Sequence, residues 1–231
     1  MRVFLAIFAL LLLTLSACVP GLAQDMELHR DLQSGRVVFI TVPKPAASSL
    51  PQSPRAGKAS APKDPIQSAS SFLEQHGPEF GAAGKGMDLT FVRADEDQLG
   101  MTHVSFRQRY YGIPVVGTGV SVHLSKDGEV ASVSTGSADW IDAPTSPGIT
   151  SKQAEKIAID AMIKEFALKA RPIVYENSLV VFPKSLIENS PDTTSYLAYE
   201  VKLRAEEFGR AAEDWIIGSM GNFVGKRPND I

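Results

Sequence analysis

Apolar and polar side chains alternate with a period of two through the middle of this chain. In Thr102–Tyr110, Val104, Phe106, Gln108 and Tyr110 fall on one face and His103, Ser105, Arg107 and Arg109 on the other, the pattern of a half-buried strand. Gly112-Ile113-Pro114 breaks it, because proline cannot donate to a β-ladder. From Gly119 to Leu124 the alternation resumes, with Val120, Val122 and Leu124 inward and Ser121 and His123 outward. Lys126-Asp127-Gly128 then predicts a hairpin turn, and Glu129 to Ser134 a returning strand. Upstream, Met87 to Ala94 reads as a strand followed by a charged turn, Asp95-Glu96-Asp97, and Arg36 to Val42 as a strand opened by Ser34-Gly35.

Two stretches change period. Ile66, Ala69, Phe72 and Leu73 recur at helical spacing, predicting a helix from Ile66 to about His76, with Asp64-Pro65 as N-cap and first-turn proline and Gly77-Pro78 as the stop. Ala154, Ile157, Ala158, Ala161, Met162 and Phe166 mark a second helix, to about Leu168. It opens with a capping box, Thr150 with Gln153, and Ile149 is placed to staple onto Ala154. Strands are expected at Ser178–Phe182, Tyr196–Arg204 and Asp214–Ile217, with Phe223-Val224 as a possible fourth. The fold class is α+β: two small units, each a helix packed on an antiparallel sheet, spanning 66–141 and 149–231.

The first 65 residues have a different character. Arg2 and the unbroken apolar run of 11 residues from Val3 to Leu13 form a signal segment, too short to span a bilayer as a helix. The one cysteine of the chain, Cys18, follows Leu15-Ser16-Ala17, a lipobox-like setting that makes it a candidate lipid attachment site; the alternative is ordinary cleavage after Ala23, which removes it. Residues 24–65 combine the short strand with a stretch holding Pro43, Pro45, Pro51, Pro54, Pro62 and Pro65, read as a linker because it has too few large apolar side chains to offset its ordering entropy. The expected location is the cell envelope, anchored at the outer membrane or in the periplasm, or else secreted.

Net charge is −3, and no Lys/Arg cluster points to nucleic acid. No HExxH pair, no G-x-S-x-G elbow and no phosphate-binding glycine loop occurs. Of the four histidines, His103 and His123 are the pair that an antiparallel sheet would bring to one side, but no carboxylate is fixed beside them by spacing alone. No catalytic residue, metal site or cofactor is assigned. The aromatics Phe106, Tyr110, Trp140, Tyr199 and Trp215 read as core or sheet surface.

Residues 66–141, above all the stretch from Leu99 to Gly136, resemble the propeptide domain of fungalysin- and thermolysin-type zinc metalloproteases. The resemblance is carried by the helix SASSFLEQHGPEFG and by Leu99-Gly100-Met101-Thr102-His103, Gln108, Tyr110, Gly112-Ile113-Pro114-Val115, Gly117, His123 and Asp127-Gly128. Gly100, His103, Gln108, Tyr110, Gly112, Pro114, Gly117, His123 and Gly128 are therefore expected to hold the domain's structure. Residues 149–231 resemble a PepSY domain, on Ile149-Thr150-Ser151-Lys152-Gln153-Ala154, Leu197-Ala198-Tyr199-Glu200-Val201 and Asp214-Trp215-Ile216-Ile217. Ser105, where many relatives have arginine, and Ser219-Met220-Gly221 depart from the pattern. The resemblance implies a partner, a thermolysin-like metalloprotease engaged in trans or in cis, and a role in inhibiting it or assisting its folding. It also implies an extended C-terminal tail that contacts the protease, with Phe223, Val224, Lys226, Arg227 and Ile231 as candidate contacts. Two alternatives stand beside this: a truncated precursor of a secreted metalloendopeptidase, and an envelope lipoprotein without a protease partner.

Overall fold

The structure is a computed structural model. It describes residues 26–32, 35–43, 64–138, 140–187, 192–205 and 212–228. The signal segment, Cys18, most of the proline-rich stretch and Ile231 lie outside the described residues.

The first unit is one antiparallel sheet with a helix on one face. Its strands are β1 (Glu27–Arg30), β2 (Val37–Thr41), β3 (Met87–Glu96), β4 (Thr102–Tyr110), β5 (Ile113–Pro114), β6 (Val120–Leu124) and β7 (Val130–Thr135). They run in the order β1-β2-β7-β6-β4-β3, with β5 paired to β4. Helix α1 (Pro65–His76) starts where Asp64 accepts a hydrogen bond from the Ile66 amide at 3.0 Å and Pro65 presets the first turn. Ala69, Phe72 and Leu73, spaced i, i+3, i+4, bury against Val104, Phe106, Val120, Val122, Leu124 and Val133. The helix ends in a 3₁₀ turn over Gly77–Phe80.

The inward faces of β4 and β6 are those the alternation predicts: Val104, Phe106, Gln108, Tyr110, Val120, Val122 and Leu124 are all buried. Three details differ from the expectation. Asp95 and Glu96 belong to β3, so Asp97 alone forms the acidic turn; its carboxylate accepts hydrogen bonds from the Leu99 and Met101 amides at 2.8 and 3.0 Å. The strand at 37–41 is a member of this sheet, pairing with β7 across the proline-rich stretch and burying Val37 and Ile40 in the same core. Trp140 is 75% exposed, not core.

The second unit is helix α2 (Ser151–Phe166) on a four-stranded antiparallel sheet in the order β11-β10-β9-β8. Its strands are β8 (Ile173–Pro183), β9 (Ser195–Arg204), β10 (Ala212–Gly218) and β11 (Phe223–Pro228), with the short helix α3 (Lys184–Ile187) after β8. The predicted capping box forms: the Thr150 amide donates to Gln153 Oε1 at 2.8 Å, and the Gln153 amide to Thr150 Oγ1 at 3.3 Å. Ala154, Ala158, Ile159 and Met162 pack on Tyr199, Val201, Leu203, Trp215 and Ile217. β8 begins five residues before the predicted Ser178, because its first half pairs with β9 through a bulge between Val174 and Glu176 that period-two reading does not see.

The other face of this sheet meets the first unit. Val116 packs with Val180, Phe182, Ala198 and Ile216, and Tyr110, Val115, Ala138 and Ile141 pack with Val181. Val115 bridges Val181 in parallel, and the Val116 amide donates to the Val181 carbonyl at 2.9 Å.

Candidate functional site

The nine residues singled out in the first unit fall into three groups. Gly100, Gly112, Gly117 and Gly128 lie in turns and all adopt positive φ, between 71° and 77°. Gly117 has a second constraint, since a Cβ built there would sit 2.1 Å from Ile187 Cδ1. It is the point where the loop after β5 presses on α3 of the second unit. Pro114 belongs to β5 and pairs with Arg109.

Gln108 and Tyr110 are buried on the inward face of β4. Gln108 Oε1 accepts from the Ala138 amide at 2.9 Å. Its Nε2 donates to the Ala138 carbonyl at 3.1 Å and also lies 3.3 Å from the Gly81 carbonyl and 3.2 Å from Met87 Sδ. One buried amide thus ties β4 to the segment leaving β7, to the turn after α1 and to β3. Tyr110 fills the apolar cluster at the junction of the units.

His103 and His123 are opposed across β4 and β6 on the outward face. Their Nδ1 atoms are 2.7 Å apart; His103 Nε2 lies 2.9 Å from Asp97 Oδ2, and His123 Nε2 lies 2.9 Å from Ser134 Oγ. A carboxylate only accepts, so His103 Nε2 carries a proton; with both rings neutral, His103 Nδ1 then accepts from His123 Nδ1, and the Ser134 hydroxyl donates to His123 Nε2. The hydrogen bond from the Met101 amide and then that from His103 hold the Asp97 carboxyl below the usual range. Burial, then the neighbouring His103, lower the His123 pKa. The fixed carboxylate that spacing did not reveal is Asp97, on the β3–β4 turn. Among the described residues, no group of three or more His, Cys, Asp or Glu is arranged to hold a metal ion.

A cleft of about 290 Å³ lies at the junction of the units. Its walls carry Arg107 and the 114–118 loop from the first unit and Glu176, Glu200 and Lys202 from the second. Lys202 Nζ donates to Glu176 Oε2 at 2.8 Å. Partial burial works against the Lys202 charge, but that bond and the charges of Glu176, Glu200 and Asp214 leave its pKa raised. Glu176 and Lys202 are not singled out in the sequence, because their contact depends on the β8–β9 register.

Of the candidate tail contacts, Phe223 and Val224 and positions Lys226 and Arg227 lie in β11, antiparallel to β10 at one end of the sheet. The segment is extended, as expected, but it is a sheet member and not a free tail. Phe223 is half-exposed and its ring lies 5.5 Å from that of the buried Trp215.

Strands β3 to β7 coincide with a family pattern: residues 88–135 match the Fungalysin/Thermolysin Propeptide Motif. The first unit is thus built on the propeptide motif of thermolysin-type proteases. Over 141 residues, 58% of its length, the chain is 32% identical to the thermostable neutral protease NprT of Geobacillus stearothermophilus. Over the same length it is 34% identical to the thermolysins of Alicyclobacillus acidocaldarius subsp. acidocaldarius and Bacillus caldolyticus. The homology lies in the N-terminal region of those proteins. Each match covers 24% of the relative, so the chain spans about a quarter of the length of the curated relatives it matches.

Proposed function

We propose that this chain is a non-catalytic, exported propeptide module that binds a thermolysin-like zinc metalloprotease and restrains it or assists its folding. The observation that carries the reading is the coincidence of the propeptide motif with a complete, well-packed ladder from β3 to β7. A rigid domain of this kind stabilises whatever native surface it binds relative to unfolded forms of the same protein. The second unit, α2 on four antiparallel strands, is read as a PepSY-like domain on the sequence resemblance of residues 149–231 and as the other half of the module. Among the described residues β11 is the last strand of its sheet and exposes Phe223, an arrangement suited to pairing with an extended segment of the protease. The same surface serves whether the protease is a separate chain or the continuation of this one. Lipid on Cys18 would hold the module at a membrane surface.

The test is refolding. Denatured thermolysin catalytic domain is diluted from urea with and without the purified chain. Recovery of peptidase activity, or formation of a stable inactive complex, supports the reading. No change in yield and no complex contradicts it.

A further inference from the structure

The two central histidines sit in a lateral row that crosses the whole first sheet: Glu27, Thr41, Ser132, His123, His103 and Asp95, each opposite the next. The adjacent row holds Ser134, Ser121, Ser105 and Arg93. In the neutral arrangement every ring nitrogen of the pair has a partner, from Asp97 through His103 and His123 to Ser134. Adding one proton keeps it intact: His103 becomes the imidazolium held by Asp97, and His123 turns tautomer to accept at Nδ1 and donate to Ser134. A second proton cannot be accommodated. It puts N–H groups on both Nδ1 atoms, which are 2.7 Å apart, and sets two like charges against each other.

We propose that His103 and His123 form an acid-sensitive latch, closing β4 on β6 while the pair holds one excess proton or none and opening when both rings are charged. The charges around it favour this asymmetry. Asp97 bonds His103 directly, and Asp95, opposite His103 on β3, is paired with Arg93 at 3.1 Å. The β7 neighbours of His123 are Ser132 and Ser134, and its β6 neighbour on this face is Ser121; none is charged. The next carboxylate in the row, Glu27, is three strands away with His29 beside it, roughly 14 Å at the usual strand spacing. Among the described residues no carboxylate bonds His123 directly, and burial opposes a charge there, in keeping with its lowered pKa. A histidine whose folded pKa is depressed stabilises the fold above its unfolded value, about 6.5, and that contribution is lost as pH falls through the folded value. The sheet that carries the propeptide motif therefore loosens on mild acidification. Resting on the propeptide reading, this makes release of a bound protease acid-dependent.

Ring-nitrogen NMR and urea unfolding of the full chain between about pH 8 and about pH 5 test the latch. The latch predicts His103 protonated on Nε2 and His123 on Nδ1 at neutral pH, two separated proton uptakes, and an unfolding midpoint that falls with the second. His123→Gln flattens that fall. Two rings titrating independently near the ordinary histidine value, or a His123→Gln variant with the wild-type pH dependence, overturns it. If that variant does not fold, the wild-type ring titration alone decides. Binding of zinc-loaded thermolysin, read by fluorescence anisotropy at both ends of the range, tests the consequence. Affinity lost in acid by the wild type but kept by His123→Gln supports it; equal affinity at both ends overturns acid release. No binding at either end overturns the propeptide reading, while the NMR result still decides the latch.

Discussion

The side-chain amide of Gln108 exchanges two hydrogen bonds with the backbone of Ala138, at 2.9 and 3.1 Å, in the fully buried interior of the first unit. It acts as a single rung of ladder between β4 and a segment that has left the sheet. Replacing it by leucine strands the Ala138 N–H and C=O, and each buried unsatisfied group costs about 1–3 kcal/mol. Gln108→Leu is therefore expected to lower unfolding free energy by roughly 2–6 kcal/mol, read as the urea midpoint at unchanged slope. A loss under about 0.5 kcal/mol, the scale of an ordinary surface substitution, would show that the clasp does not hold the unit together.

Gly117 combines a φ of +71° with contact against Ile187 across the two units. Gly117→Ala adds both backbone strain and a clash, and should destabilise by about 1–3 kcal/mol. Adding Ile187→Ala relieves the clash and leaves the strain. The double mutant is therefore expected to be more stable than the sum of the two single losses implies. Strict additivity in thermal unfolding would mean that the two residues do not meet.

The helix starts were legible because capping is local. Asp64-Pro65 and the Thr150–Gln153 box are read directly from neighbouring residues, as is the burial of Val104, Phe106, Gln108 and Tyr110 from simple alternation. What escaped were contacts that exist only once strands have paired or a turn has closed. The strand at 37–41 joins β7 over about 90 residues of chain, Asp97 reaches His103 only once the β3–β4 turn is built, and Glu176 meets Lys202 through the β8–β9 register. Trp140 escaped for another reason: a lone aromatic outside any strand carries no periodicity. The bulges in β3 and β8, which shift side chains from one face to the other, also leave no period-two trace.

Thr150→Ala removes the α2 cap and should cost about 1 kcal/mol. The measurement is a thermal unfolding curve for wild type and variant. An unchanged midpoint would show that tertiary packing, not the cap, fixes the start of α2.

The Asp192 side chain accepts from the Thr194 hydroxyl and amide and pairs with Lys184, which lowers its pKa to about 2. Its contribution to folding is present above the unfolded carboxyl value and is lost as pH falls through about 2. Carboxyl-carbon NMR should find this aspartate titrating well below ordinary carboxyls. Thr194→Val, which removes the hydroxyl donor, should move it back up. A titration near 3.8 in the wild type would contradict the arrangement.

The chain has two tryptophans, one exposed at position 140 and one buried at 215. Iodide should quench only part of the emission, and Trp140→Phe should leave a blue-shifted, unquenched spectrum. Full quenching in that variant would show that Trp215 is open to solvent and that the core under α2 is not formed.

The proposed recognition of a folded thermolysin-like protease is open to direct measurement. Isothermal titration of the purified full chain into zinc-loaded thermolysin, at neutral pH and moderate salt, tests it most directly. Saturable one-to-one binding with a negative heat-capacity change and concurrent loss of peptidase activity is expected. No heat of binding and undiminished activity at a large excess of the chain would contradict it.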